Sequence, residues 1–511
     1  MSELLIGFSN VLLNPINLVI LIVGTLLGFL GGSIPGISGT MMVVLLVPLT
    51  YSLKPDSAIL SMVVVYCAAV FGGSISAILF RTPGAPESVA TVLDGYPMTK
   101  QGKSAEALGL SVYGSAIGGI IGTLFLIFLT PQLAKVALAF GPPEYFGLTV
   151  LAMSVIASLG DDNQLKALIS ALIGLFLMTV GIDPMTGINR FTFGSQLMMS
   201  GFNFIPILIG LFAVSEILRR FERDTTKATG GDQAGNAKNA NTSLPSFSTM
   251  RKLIPTTIRG SVIGTIIGIL PGIGATTAAM VAYSEEQRAS KHKELFGTGL
   301  PEGVLAPETA HNAAASGAII PLLALGIPGS ATTAIMLGAF ILHGIQPGPL
   351  IFKEQGPLVY TIFAGAMMAN ILILFIAKPF IKGFTQIIKV PFNILGPIII
   401  VLCMVGSFAI RNNMLDVWIT LIFGVIGYIF EKFDYPTSPI VIGSVLGALA
   451  ENEFRRSMVM SSGSWGIFFS SPIAAGLIIF GVLSFIIPLA RNIKKKYDKG
   501  NINKLTTEKV S

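Results

Sequence analysis

The stretch GTIIGILPGIGATTAAM, residues 264–280, is apolar enough for a membrane helix, yet it carries a proline and several glycines at its centre. A second stretch, GTLLGFLGGSIPGISGT at 24–40, opens in the same way and shares the Pro-Gly-Ile core. Proline removes a backbone donor and kinks a helix, and glycine lets the chain turn. The two stretches therefore predict two helices that are interrupted at corresponding places.

The composition is that of an integral membrane protein. Of 511 residues, 52% are hydrophobic and only 12% are charged, and the mean hydropathy is +0.76; soluble chains carry about 25% charged residues. Solid apolar runs favour helices over the alternating strands of a transmembrane barrel. We predict an all-α polytopic membrane protein with about 10–12 transmembrane helices. The apolar windows centre on 15–30, 57–80, 105–130, 143–159, 166–181, 200–218, 356–377, 392–410, 413–430 and 466–490.

Positive charge is concentrated in two segments. Residues 219–252 hold seven Lys or Arg against three Asp or Glu, and residues 491–511 hold seven against two. Basic residues beside membrane helices mark the cytoplasmic side, so we expect both segments to be cytoplasmic. The Gly, Asn and Thr content of 219–252 is typical of a flexible linker. The predicted segments are a first transmembrane repeat (1–218), a flexible basic linker (219–252), a second repeat (253–490) and a basic tail (491–511).

Each repeat contains two Pro-Gly breaks in the same order. They lie at Pro35 and Pro83 in the first repeat and at Pro271 and Pro328 in the second, each followed by small or hydroxylated residues. This internal similarity predicts two repeats of one structural unit, with Pro-Gly-broken helices or re-entrant hairpins.

Corresponding loops of the two repeats carry opposite charge bias. After the first break, YSEEQRASKHKELFG (283–297) contains three Lys or Arg residues, whereas its counterpart YSLKPD (51–56) contains one. After the second break the bias reverses, with Lys100 and Lys103 against Lys353 alone. Because basic loops face the cytoplasm, this pattern favours an inverted repeat, as in many secondary transporters. A parallel repeat is the alternative.

The breaks are the predicted substrate site. Non-helical backbone at membrane depth is tolerated where it is buried in protein or lines a wet cavity. A helix that begins at such a break presents free N–H groups that suit a carboxylate. A single Pro-Gly is usually a packing kink, but four at paired positions favour binding. The predicted substrate-binding residues are Gly36, Ser38, Gly84, Ser88, Gly272, Gly274, Thr276, Asn312, Gly329, Ser330, Thr332 and Thr333.

Three ionisable residues near the breaks are candidates for gating or coupling: Arg81, Glu87 and Glu308. Burying such a group in a membrane is costly, so it is functional by default, although an interfacial helix end could also house it. Asp94 and Glu302 are weaker candidates. We expect no cofactor, no metal site and no catalytic residue, and carbonyls freed at the breaks could take a coupling cation, sodium or proton.

Four charged residues near the C-terminus are interpreted differently. Glu451, Glu453, Arg455 and Arg456 alternate in sign over a short stretch. They are expected to form a solvated turn whose charges compensate one another.

Three stretches identify a family. They are FGGSISAILFRTPGAPESVATVLDGYPMTKQGKSAEALG (71–109), FGPPEYFGL (140–148) and the 52-residue stretch from PEGVLAPETAHNAAASG to HGIQPGPLIF (301–352). They closely resemble the large membrane subunit of the bacterial tripartite tricarboxylate transporters, over about residues 10–490. At His311 the resemblance leads us to expect asparagine instead.

The resemblance implies a secondary transporter in the bacterial cytoplasmic membrane that imports carboxylates such as citrate. It also implies two partners, a small four-helix membrane subunit and a periplasmic substrate-binding protein. No interaction with nucleic acid is indicated, since the excess charge lies in loops. The alternatives are a channel-like permease for organic anions and a membrane-embedded enzyme. The chain has no HExxH, GxSxG or Walker A motif to support an enzyme or an ATP-driven pump.

Overall fold

A computed structural model of the chain describes residues 2–34, 36–158, 164–226, 243, 245–387, 392–487 and 490. Pro35, most of the predicted linker and the tail 491–511 lie outside the described residues, so the predictions for them stay untested. The described chain folds into two compact units that each draw on both halves of the sequence: Met1–Leu138 with Asn203–Ile429, and Ala139–Phe202 with the described residues from Phe430 onward. The assignment of residues to two repeats stays a prediction.

In the described part of the first unit, every regular element is a helix. They are α1 (Ser2–Leu13), α2 (Pro15–Ser33), α3 (Gly39–Thr50), α4 (Pro55–Phe80), α5 (Val89–Lys100), α6 (Ser104–Ala137), α9 (Phe204–Leu208), α10 (Ser215–Thr226), α11 (Phe247–Ile269), α12 (Gly274–Ala289), α13 (Pro301–Gly317), α14 (Ile319–Leu325), α15 (Ala331–Leu342), α16 (Ile351–Glu354), α17 (Gly356–Ile387), α18 (Phe392–Arg411) and α19 (Met414–Lys432). A π-helical turn, Ile209–Val214, joins α9 to α10.

The second unit packs α20 against α7 and α8. Its elements are α7 (Pro142–Ser158), α8 (Gln164–Leu177), β1 (Gly181–Ile182), β2 (Asn189–Arg190), α20 (Ser438–Met460), α21 (Ile467–Ser470) and α22 (Pro472–Ile487). Strands β1 and β2 form an antiparallel pair.

The charged residues near the C-terminus pair with one another as expected, but the expectation that they form a turn was wrong. They lie on α20, where Arg455 Nη1 donates to Asp183 Oδ2 at 2.6 Å and pairs with Glu451 one helical turn away at 2.8 Å. Arg190 of β2 also pairs with Glu451. The Arg455 guanidinium holds the pKa of Asp183, which follows β1, well below its usual range. The charges therefore fasten the β-hairpin to α20.

The predicted all-α polytopic membrane architecture is confirmed. In the described part of the chain, six helices are long and apolar enough to cross a bilayer, namely α2, α4, α6, α17, α18 and α19. Most of the buried residues of α4 are apolar or small, and its apolar window is 94% buried within the protein. α4 is thus a central helix of the first unit.

Helices α2 and α4 run parallel and in close contact. The facing residues, in the same order along both helices, are Gly24 with Val64, Gly28 with Ala68 and Gly32 with Ala69. α3 lies between them in sequence and reaches the start of α4 through residues 51–54. Since α2 and α4 point the same way, α3 must run back, and α2 and α3 form a re-entrant hairpin.

The second half repeats this arrangement. Helices α11 and α13 also run parallel, and the facing residues are Gly264 with Ala310 and Gly268 with Ala314. α12 returns from the break between them and packs on α13. The corresponding pairs α2–α4 and α11–α13 are thus built in the same way, with glycines allowing the close approach.

The two pairs point in opposite directions. α6 is parallel to α13, because Gly118 faces Thr309 and Gly122 faces Ala313. α6 is antiparallel to α4: Ser115 of α6 and Ser74 of α4 both reach Glu308. At the other end of this contact, Thr123 of α6 and Cys67 of α4 both reach Asn370. α4 and α13 are therefore antiparallel, which is the arrangement of an inverted repeat.

Candidate functional site

The described residues at the four Pro-Gly breaks are here termed the first tip (Ile34 and 36–38), second tip (81–88), third tip (270–273) and fourth tip (326–330). In the first half the Gly36 N–H donates to the Gly84 carbonyl at 3.0 Å. In the second half the Gly272 N–H donates to the Gly329 carbonyl at 2.9 Å. Each half thus joins its two tips by the same backbone hydrogen bond.

The backbone at the tips needs glycine for two reasons. Gly36 and Gly272 have φ values of 84° and 83°, a backbone conformation that residues with a side chain rarely adopt. Gly84 and Gly329 have no room for a side chain, since a Cβ would overlap the Gly32 carbonyl oxygen at the former and lie 2.8 Å from that of Gly268 at the latter. Of the predicted site residues, these four glycines form two matching pairs.

The helices α3, α5, α12 and α15 each begin at a tip. Ser38 caps α3 by accepting from the Met41 N–H at 3.2 Å, and Ser330 forms a capping box with Thr333 at the start of α15. The hydroxyls of Thr40 and Thr332 lie 2.8 Å apart and connect the first tip to the fourth. The turn Pro86–Ser88 of the second tip packs against α12. Four helix N-termini therefore converge, a concentration of N–H groups that suits an anion.

Other predicted substrate residues have different surroundings. Ser88 is buried and its hydroxyl lies 3.3 Å from that of Ser74. Gly274, with φ 73°, and Thr276 are half-buried at the start of α12. Asn312 points along its own helix, where Nδ2 donates to the Glu308 carbonyl at 3.0 Å. The Asn312 side chain thus bonds within its own helix, α13, whereas Ser88, Gly274 and Thr276 lie at or beside tips.

Glu308 lies at the centre of a buried polar cluster. Its carboxylate accepts from the hydroxyls of Thr91 at 2.6 Å, Ser111 at 2.9 Å and Ser115 at 2.8 Å. These donors belong to α5 and α6 of the first half, while Glu308 belongs to α13 of the second, and the glutamate is fully buried. A carboxylate at this depth, bridging the two halves, fits the predicted coupling role.

His311 joins this cluster to the second tip. Its Nε2 lies 3.4 Å from Glu308 Oε2, and its Nδ1 lies 3.1 Å from the backbone carbonyl of Glu87. The side chain of Glu87 is only half-buried. Sequence reasoning gave His311 no role, although Glu308 lies only three residues before it on the same helix, a local spacing that could have marked the pair. The contact with Glu87, 224 residues away in sequence, has no such local signal.

Asp94 has a structural role. It is fully buried and accepts from the Tyr283 hydroxyl at 2.9 Å and from the backbone N–H groups of Gly297, Gly299 and Leu300 at 2.8–3.1 Å. These contacts satisfy the carboxylate and fasten α5 to the loop that precedes α13.

Arg81 is exposed and lies 6.0 Å from the centre of the Tyr96 ring. It ends α4 with a φ of 58°, in the left-handed region. Gly326, with φ 71°, occupies the same place in the second half, three residues before Gly329 as Arg81 is three before Gly84. An arginine thus stands where the repeat partner uses glycine.

A second cation, which the sequence did not indicate, lies at the first tip. Arg220 of α10 packs so closely on Gly36 that a Cβ at that glycine would overlap its guanidinium group. Arg220 is half-buried and almost 200 residues from Gly36 along the chain. In the sequence, Arg220 was only one of the basic residues of 219–252 that indicate the cytoplasmic side of the membrane.

The tripartite tricarboxylate transporter TctA family model matches residues 18–442. An uncharacterized 52.8 kDa protein of the TAR-I ttuC' 3'region of Agrobacterium vitis is 39% identical over 498 residues, 98% of each chain. An uncharacterized protein of the TAR-II ttuC' 3'region of the same organism is 38% identical over 236 residues, which cover 46% of this chain and 98% of that protein. No solved structure matches the chain. The family match spans all four tips and the Glu308 cluster, so this chain is a component of the tripartite tricarboxylate transporters and belongs to the TctA family.

Proposed function

We propose that the chain is a secondary active transporter that imports a small di- or tricarboxylate across the bacterial cytoplasmic membrane. It acts as the large permease subunit and is coupled to a cation, sodium or proton. The observation that carries the proposal is the matched pair of backbone bonds, Gly36 to Gly84 and Gly272 to Gly329, which brings four helix N-termini together across an inverted repeat.

The converging N-termini meet a carboxylate with backbone N–H groups and with hydroxyls such as those of Thr40, Thr332 and Ser330. Few cations stand beside these donors, and Arg220 at the first tip is the closest one that the described contacts reveal. A desolvated polyanion is costly in low dielectric unless its charge is offset. Substrate and coupling cation should therefore bind together, and each should raise the affinity of the other.

The transporter works with two partners under this proposal, a small four-helix membrane subunit and a periplasmic substrate-binding protein. Family membership supports both, because the family name describes a tripartite system. The binding protein would deliver the carboxylate to the outer side, and the inverted repeat would alternate the access of the tips to the two sides.

Uptake by a reconstituted system tests the proposal. The chain, co-purified with a candidate small four-helix subunit, is placed in proteoliposomes with a candidate binding protein outside. Uptake of radiolabelled citrate, succinate and malate is measured under imposed sodium and proton gradients. We expect saturable uptake of at least one carboxylate and accumulation above the external concentration under one gradient.

The alternatives give different results. A channel-like permease would equilibrate the carboxylate without accumulation and would show no counterflow. An enzyme would alter the carboxylate, which chromatography of the recovered label would detect. Absence of uptake and counterflow for the whole panel would contradict the proposed function.

A further inference from the structure

We propose that Glu308 and His311 together hold the coupling proton, so that the coupling cation is a proton and this buried pair is its site. The inference rests on the proposed transport function and assigns a role to His311.

The hydrogen bond to Glu87 determines the tautomer of His311. A backbone carbonyl only accepts, so Nδ1 at 3.1 Å from the Glu87 oxygen must carry a hydrogen. The other ring nitrogen, Nε2, faces Glu308 Oε2 at 3.4 Å. Within the described part of the chain, Nε2 is a buried atom without a hydrogen-bond partner of good geometry.

The pair requires one proton. A neutral imidazole with its hydrogen on Nδ1 presents a lone pair at Nε2, and an ionised Glu308 presents another at Oε2. Two acceptors facing each other in a fully buried site repel. Glu308 Oε2 keeps its hydroxyl donors, whereas Nε2 loses its hydration without any donor to replace it. One proton, on either Nε2 or Oε2, turns this repulsion into a hydrogen bond, and the pair then has no net charge.

The buried carboxylates of two helices that pack on α13 are already matched. Asp94 on α5 is satisfied by Tyr283 of α12 and by three backbone N–H groups. Glu286 of α12 pairs with Arg259 of α11 at 2.6 Å. From α6 the pair meets only the hydroxyls of Ser111 and Ser115 in the described contacts. The further titratable groups that face it are Glu87 of the second tip and, beside Glu87, Tyr66 of α4.

The same contacts connect the proton to substrate binding. His311 bonds to Glu87 within the second tip, and Glu308 accepts from Thr91, which lies in the first turn of α5. When the proton leaves, repulsion between Nε2 and Oε2 weakens the His311–Glu87 and Thr91–Glu308 hydrogen bonds, which hold the second tip and the start of α5 in place. When the proton returns, both bonds are restored, so occupancy by a proton and the geometry of the tip change together.

The first test uses the wild-type complex in proteoliposomes with an entrapped pH indicator and radiolabelled citrate as the probe. We expect citrate to acidify the lumen in sodium-free buffer and an acidic exterior to drive at least tenfold accumulation. Saturable citrate uptake that requires a sodium gradient and brings no proton into the lumen would overturn the inference and leave the proposed function intact. Loss of all carboxylate uptake and counterflow would instead count against the proposed function.

The second test uses Glu308→Gln and His311→Gln. Each should lose proton entry and proton-driven accumulation at least tenfold, while citrate counterflow, which needs no net proton transfer, should fall less than about threefold. Glu286→Gln, a buried carboxylate outside the pair, is the matched control and should keep proton-driven accumulation. If Glu308→Gln does not insert, His311→Gln decides: proton-driven accumulation at the wild-type level in that variant would overturn the assignment.

Discussion

The Gly36 N–H donates to the Gly84 carbonyl at 3.0 Å, and this single bond joins two breaks that lie 48 residues apart in sequence. Gly272 and Gly329 make the same bond at 2.9 Å in the other half. Since α4 and α13 are antiparallel, the two bonded pairs belong to halves that run in opposite directions. The repeated element is thus a pair of tips, which explains why the breaks occur in twos.

Substitution of Gly84 or Gly329 by alanine should reduce citrate uptake at least tenfold while membrane insertion is retained. A methyl group at either position meets backbone, which cannot move aside as a side chain can, and overpacking of this kind costs about 1–3 kcal/mol. Gly476→Ala is the control, because a Cβ there meets nothing within 4 Å. Uptake and surface expression are measured together. Normal uptake in both tip variants would contradict a role of the tips in transport and would favour the interpretation of the Pro-Gly breaks as packing kinks.

Arg81→Gly should lower uptake without lowering stability. The left-handed backbone at Arg81 costs about 1–2 kcal/mol for a residue with a side chain, and Gly326 shows that the equivalent turn accepts glycine. We therefore expect Arg81 to contribute to transport through its guanidinium group, and not through its backbone conformation. Thermal unfolding in detergent and citrate uptake are the two measurements. Wild-type uptake in Arg81→Gly would show that the guanidinium is dispensable.

Arg220→Gln should weaken citrate binding about fivefold or more, because it removes the cation that packs on the first tip. Arg220→Lys should restore part of the affinity. Arg219→Gln is the matched control, since Arg219 pairs with Glu216 one turn away on α10. Binding is measured by calorimetry on the purified complex. Equal effects of the two glutamine variants would indicate a general loss of charge and not a contact at the tip.

Asp183→Asn should destabilise the protein by an amount that stays constant between pH 5 and pH 8. Arg455 depresses the folded-state pKa of Asp183, so the carboxylate is ionised in both folded and unfolded states over that range. The stabilisation should decline only below about pH 4, where the unfolded state takes up a proton first. Thermal unfolding of wild type and variant at each pH provides the comparison. A difference that vanishes already at pH 5 would contradict the Arg455 contact.

The inverted repeat predicts that Lys100 and Lys353 lie on opposite sides of the membrane, and the basic segments predict a cytoplasmic linker and C-terminus. Single cysteines at Lys100, Lys353, Asn236 and Ser511 can be labelled in intact cells, since the native Cys67 and Cys403 are buried. An impermeant reagent added outside should react at position 353 alone. Labelling at 236 or 511 would reverse the assigned orientation.

The sequence alone was enough for the membrane class, the helical architecture and the positions of the four breaks. These properties are local: apolar runs, prolines and glycines act on the backbone within one or two helical turns. The charge bias of the loops also indicated the inverted repeat. The helices that follow each tip begin at Gly39, Val89, Gly274 and Ala331, just past the Pro-Gly steps.

Only the tertiary structure decided which of these residues meet. The hydroxyls on Glu308, the contact of His311 with Glu87 and the approach of Arg220 to Gly36 each join residues about 180–220 positions apart. Helical periodicity places a side chain on a face, but its partner depends on how two antiparallel halves pack. Long-range packing also distinguishes Asp94 from Glu308, although both are fully buried carboxylates. Backbone N–H groups and a tyrosine hydroxyl donate to Asp94, whereas three hydroxyls donate to Glu308 and the His311 imidazole lies beside it.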